Sequence, residues 1–116
     1  MRAPGDPEFE FSSGEVARRL EAGDIQLLDV REQMEWDAGR PSGAVHVPMQ
    51  TIPARIDELD RTKPVACICL MGARSAMVAE YLRAQGFEAY NVSGGFREWF
   101  QERLPTEPDD ARVVQH

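Results

Sequence analysis

Short apolar runs alternate with amphipathic stretches along this chain, and that alternation predicts strands and helices in turn. Ile25-Gln-Leu-Leu-Asp-Val30 and Pro64-Val-Ala-Cys-Ile-Cys69 are nearly continuous in apolar side chains, as strands covered on both faces of a parallel sheet must be. Phe87-Glu-Ala-Tyr-Asn-Val92 is a third strand, Gly43-Ala-Val-His-Val-Pro48 a shorter one, and Phe9-Glu-Phe11 suits an edge strand. Between them lie helical patterns. Ser12, with Glu15 three residues on, forms a capping box that opens a helix over Val16–Leu20, which Gly23 closes. Residues 31–39 predict a short helix offering Met34 and Trp36 to the core or a groove. Thr51 caps a third helix that runs past Ile56 to Leu59, with Pro53 in its first turn. Residues 76–86 form the helix after Cys69, and Ser93-Gly94-Gly95 turns into a last helix over 96–103.

Strand and helix in alternation define an α/β fold with right-handed crossovers. At 116 residues the chain buries a real core without disulfide staples, and no shift in composition divides it. One domain is expected over residues 8–104. Residues 1–7 form a flexible lead without a secretory apolar segment, and residues 105–116 a polar tail, tethered or loose, with Val113 and Val114 near its end. No apolar run is long enough to span a bilayer. A net charge of −7 argues against nucleic acid or an anionic membrane as partner. Two cysteines suit a reducing compartment, the cytoplasm, better than a disulfide framework.

The chemistry concentrates after the Cys69 strand. Leu70, Met71, Gly72 and Ala73 form a turn that feeds a helix whose first turn carries Arg74 and Ser75, so backbone N–H groups converge on the cysteine. Those amides and the helix N-terminus favour a thiolate, and Arg74 adds a positive charge. Four residues separate Cys69 from Arg74. A loop that short leaves a pocket suited to one extra sulfur atom rather than to a whole phosphate. Cys67 lies on the same strand face and reads as packing, because cysteines at i and i+2 are poorly placed to bridge.

The unit Cys-x-x-Gly-x-Arg-Ser at a helix start resembles the rhodanese-like sulfurtransferase family. The resemblance extends to Asp29-Val30-Arg31, to Gly39–Pro48, and to Gly94, Gly95 and Trp99, covering roughly residues 9–104. It implies a three-layer rhodanese-like domain with a mostly parallel central sheet and helices on both faces. It also implies a persulfide on Cys69, an anion-binding loop from Leu70 to Ser75, sulfur donors such as thiosulfate or another persulfide, and a thiol, protein or cyanide acceptor. No cofactor or metal is implied. The chain departs from the family pattern at Arg40 and Pro41, where a histidine and an aliphatic residue are usual. It also carries Leu70 and Met71 where family members efficient with thiosulfate often have a basic side chain.

Asp29 is not expected to be a general base, since an anion beside the thiol would oppose its ionisation; it pairs with an arginine or backbone donors instead. Arg31 is expected either to serve that scaffold or to touch substrate. His46, in an alternating strand, reads as a satisfied histidine, and neither it nor His116 joins a metal cluster. Two further readings stand beside the enzyme. One is a noncatalytic sulfur-carrier or protein-binding module, in which Leu70 and Met71 touch a partner. The other, ranked third because the loop is short, is a phosphatase or arsenate reductase.

Overall fold

The structure, a computed structural model, describes residues 8–114, so the predicted lead at residues 1–7 and His116 lie outside the described residues. Five strands form one parallel sheet. They are β1 (Glu10–Phe11), β2 (Gln26–Asp29), β4 (Val45–His46), β5 (Val65–Ile68) and β6 (Ala89–Val92), in spatial order β1-β6-β5-β2-β4. Register places Cys67 between Leu28 of β2 and Asn91 of β6. β5 is therefore central.

Alternation along β5 divides the core. Val65, Cys67 and Cys69 join Leu28, Val30 and Ile52 on one face, while Ala66 and Ile68 join Val16, Leu27, Phe96 and Trp99 on the other. The first face is covered by α4 (Ala73–Ala84) through Val78, Ala79 and Leu82; the second by α1 (Ser13–Glu21) and α5 (Gly95–Gln101). Each fully buried aliphatic or phenyl side chain contributes roughly 1.5–3 kcal/mol, so the two clusters hold the three layers together. This is the α/β architecture that the pattern predicts.

Local differences have local causes. Ser12 Oγ accepts from Glu15 N at 3.2 Å, but the Glu15 carboxylate turns to Arg18 and Arg19 rather than back to the cap. Glu98 of α5 takes the Ser13 N–H instead, at 3.2 Å. The third helix is broken. After a 3₁₀ turn, Met49–Thr51, α3 (Ile52–Arg55) carries Pro53 in its first turn, where the missing N–H is tolerated, and then tightens into a second 3₁₀ turn, Ile56–Glu58, short of Leu59. The helix expected over 31–39 shortens to α2 (Gln33–Ala38), where Met34 is exposed, Trp36 half-buried, and Glu35 the buried residue.

The C-terminal tail is tethered. β7 (Thr106–Glu107) pairs antiparallel with β3 (Arg40–Pro41), Arg112 N donates to Ala38 O at 3.0 Å, and Val113 packs on the second core cluster. The packed unit thus runs past residue 104. Arg40, the departure noted above, lies over the Trp36 ring at 5.1 Å and donates to Trp36 O at 3.1 Å. Among the described residues no helix is long and apolar enough to cross a membrane.

Candidate active site

The carboxyl end of the central parallel strand is where an open α/β sheet presents ligands, and β5 delivers Cys69 there. Gly72, with φ of 101°, holds the left-handed conformation that turns the chain from the cysteine into α4. Lacking a side chain, this N-cap leaves the first amides of the helix without a side-chain partner. Its own N–H donates to Cys69 Sγ at 3.1 Å. The Ser75 hydroxyl lies 3.2 Å from the same sulfur. Cys69 is 1% exposed and Leu70 8%, whereas Met71 is 59% exposed. The thiol is therefore the floor of the loop and Met71 its crest.

A second turn fastens this loop from behind. Phe96 N donates to Cys69 O at 2.8 Å and Arg97 N to Leu70 O at 3.1 Å, so the first amides of α5 hold the two carbonyls at the start of the loop. Gly95 permits that approach, because a Cβ there would stand 2.6 Å from Cys69 O. Gly95, the second of the glycine pair, is thus a packing requirement of the cysteine loop.

Arg74 requires a correction. Rather than standing free beside the thiol, its guanidinium is held by Glu35, with Nη1 to Oε1 at 2.8 Å and Nη2 to Oε2 at 3.0 Å. Glu35 is fully buried and also accepts from Glu32 N at 2.9 Å. Burial alone would raise its pKa; the Arg74 hydrogen bonds, the Glu32 amide and the charges of Arg74 and Arg31 outweigh that and hold it below its ordinary value of 4.5. Arg74 is a clamp on the loop. Its charge is largely answered by Glu35.

Asp29 and Arg31 are both fully buried. Arg31 Nε and Nη2 grip the Asp29 carboxylate at 2.8–3.1 Å, Nη2 also donates to Gly39 O at 2.8 Å, and the guanidinium lies over Phe96 at 4.4 Å. Both side chains lie wholly inside the protein at the end of β2. His46 is satisfied, with Nε2 2.8 Å from Arg31 O and its ring stacked on Trp36 at 4.6 Å. Cys67 packs in the core, and burial pushes its thiol pKa well up. Leu70 is likewise buried, which leaves Met71 and the exposed Ala73 as the accessible part of the loop.

Two residues escaped the sequence reading. Glu35 is one of three polar residues that alternate with apolar ones in Gln33–Ala38, and it meets Arg74 across 39 positions, so no local pattern marks it. Asn91 had a signal: it is a polar residue within the apolar run of β6. It is 3% exposed, its Oδ1 lies 2.6 Å from Ser75 Oγ, and its Nδ2 donates to Gly72 O at 3.0 Å. A groove of about 410 Å³ beside the loop is lined by Glu10, Met71, Gly72, Ala73, Asn91 and Ser93. Among the described residues no group of three or more His, Cys, Asp or Glu could hold a metal ion.

Comparison with known proteins agrees with this geometry. A putative sulfurtransferase, YtwF, from Bacillus subtilis is 39% identical over 97 residues, covering 83% of this chain and 94% of that protein. The thiosulfate sulfurtransferase GlpE of Glaesserella parasuis is 34% identical over 99 residues, covering 84% and 92%. The crystal structure of a rhodanese-related protein from Thermoplasma volcanium superposes with a TM-score of 0.79 at 27% identity, covering 85% of this chain and 97% of that one. A family described as the rhodanese-like domain matches residues 12–102. With the strand, cysteine, four-residue loop and helix in place, the chain belongs to the rhodanese-like domain family.

Proposed function

We propose that this protein is a sulfurtransferase that carries sulfane sulfur as a persulfide on Cys69, working in a reducing compartment, the cytoplasm. The observation that carries the reading is the Cys69 sulfur on the floor of a four-residue loop, with the Gly72 N–H aimed at it from 3.1 Å. In the first half-reaction the Cys69 thiolate attacks the outer sulfur of thiosulfate. The sulfur–sulfur bond of the donor breaks, its electron pair leaves on sulfite, and Cys69 holds a persulfide anion. An acceptor thiolate then attacks that outer sulfur, leaving as the new persulfide and returning Cys69 as a thiolate. Cyanide in the same role leaves as thiocyanate. Loop amides stabilise the charge, which remains on sulfur throughout.

The commitment of Arg74 to Glu35 and the absence of a basic side chain at Leu70 and Met71 bear on the donor. A dianion such as thiosulfate meets only amide dipoles, whereas a singly charged organic or protein persulfide asks less of them. The expected order is therefore persulfide over thiosulfate in kcat/KM. The near-complete burial of Cys69 is the observation that favours the second reading, a noncatalytic sulfur-carrier or binding module.

Intact mass after incubation with thiosulfate separates the two. One added sulfur is expected on the wild type and on Cys67→Ala, and none on Cys69→Ala. Addition that persists without Cys69 would remove the assigned nucleophile; no addition to the wild type from either donor would favour the binding module.

A further inference from the structure

The hydrogen-bond network behind Cys69 has one hydrogen fewer than its geometry invites. Asn91 Nδ2 faces three acceptors, Gly72 O at 3.0 Å and the two Glu10 carboxylate oxygens at 3.0 and 3.2 Å. Turning the amide over would set Oδ1 against all three oxygens, so Oδ1 must face Ser75 Oγ, 2.6 Å away. An amide oxygen only accepts. It therefore takes the single hydrogen that the Ser75 hydroxyl possesses. Ser75 Oγ is left with lone pairs alone to offer Cys69 Sγ, 3.2 Å away. That arrangement suits a thiol, whose S–H can donate to Ser75, and not a thiolate, which can only accept.

We propose that Asn91 is a positioning residue that governs the reactivity of Cys69 through Ser75, by holding the Ser75 hydrogen away from the sulfur. The proposal rests on Cys69 being the reacting thiol. When the sulfur loses its proton, Ser75 must swing its hydrogen from Asn91 Oδ1 to Sγ, and the buried Oδ1 then loses its donor. Asn91 thus opposes the one side-chain hydrogen bond that would steady the anion. Gly72 N–H is left as the fixed donor to sulfur. Without Asn91 Oδ1 the Ser75 hydroxyl is released, and its hydrogen goes to the charged sulfur, the stronger acceptor.

The test is a double-mutant cycle read by iodoacetamide alkylation at a fixed neutral pH, with peptide mass assigning the modified cysteine. Asn91→Leu keeps the branched four-atom side chain without its polar atoms and Asn91→Ala truncates it, and each is expected to speed Cys69 alkylation about tenfold, the scale of a hydrogen bond to a charged group. Ultraviolet thiolate absorbance should rise with the rate. In a Ser75→Ala background the same two substitutions should change the rate less than about twofold. If Asn91 only props the loop through Gly72 O, its loss leaves alkylation slower or unchanged, or faster even without the Ser75 hydroxyl. Any of these results overturns the proposal. Failure of the sulfur-transfer reading would show separately, as no added sulfur in the mass experiment while the alkylation cycle still behaves as stated.

Discussion

Two arginines stand at the carboxyl edge of the sheet, each gripped by a carboxylate, and they do different work. Arg31 is fully buried, pairs with Asp29 two residues away, and lies against Phe96. Arg74 keeps 30% of its side-chain surface and reaches Glu35 across 39 positions. The first pair is short in sequence and deep in space; its role is to fill the end of β2 without leaving a charge unanswered. The second ties the loop after β5 to the helix after β2. An arginine at a catalytic edge is therefore not by itself a substrate ligand, and its carboxylate partner decides which it is.

The comparison breaks first at the deeper pair. Arg31→Met strands the Asp29 carboxylate in the interior, and loss of one partner from a buried pair costs about 3–5 kcal/mol. Urea denaturation should show that loss directly. A variant within about 1 kcal/mol of wild type would mean that the Arg31 N–H, 3.0 Å from Asp29 Oδ1, is enough to hold the carboxylate.

Arg74→Met should cost less, about 2 kcal/mol at neutral pH, because the pair lies near solvent and Glu35 keeps the Glu32 amide. Its signature is in pH. Glu35 has a folded pKa below the ordinary 4.5, so its contribution to stability is fully present above about pH 4.5 and is lost as pH falls through the depressed folded value. Stability against pH should therefore fall on the acid side in the wild type and fall less steeply in Arg74→Met. Parallel profiles would show that the clamp does not tune Glu35.

The smallest effect sharpens the functional side of the comparison. If Arg74 is spent on Glu35, a cation placed on the exposed crest should recover part of the missing charge. Met71→Lys is expected to raise thiosulfate kcat/KM by about two- to fivefold, the range for an exposed charge contact, with little change for a neutral-tailed persulfide donor. Leu70→Arg, which would suit the loop on sequence grounds, should give no such gain, because the Leu70 side chain packs inward. Steady-state kinetics with both donors decides it.

Much of this was legible in the chain. Nearly continuous apolar runs identified β2 and β5, and the strand–Cys69–loop–helix unit stands as read, because each signal is local and set by backbone geometry. What escaped was non-local or carried by backbone. The Glu35–Arg74 clamp leaves no periodicity in either segment. Docking of the tail rests on pairing between β3 and β7 and on the Arg112 amide, which a polar sequence does not announce. The helix expected after Thr51 starts there with Pro53 in its first turn, but keeps α-helical geometry only to Arg55 before tightening into the 3₁₀ turn Ile56–Glu58.

The fastening of the cysteine loop by the amides of Phe96 and Arg97 also sets an order of events during synthesis. Cys69 O and Leu70 O find these donors only after the chain has extended 27 residues beyond each carbonyl, about 90 Å of fully extended polypeptide. A chain under synthesis therefore carries its cysteine for about 1–5 seconds, at roughly 5–20 residues per second, before these two amides exist to fasten the loop. The cysteine is made early and its loop is fastened late, so a nascent or truncated chain ending before α5 lacks the two amides that hold the loop.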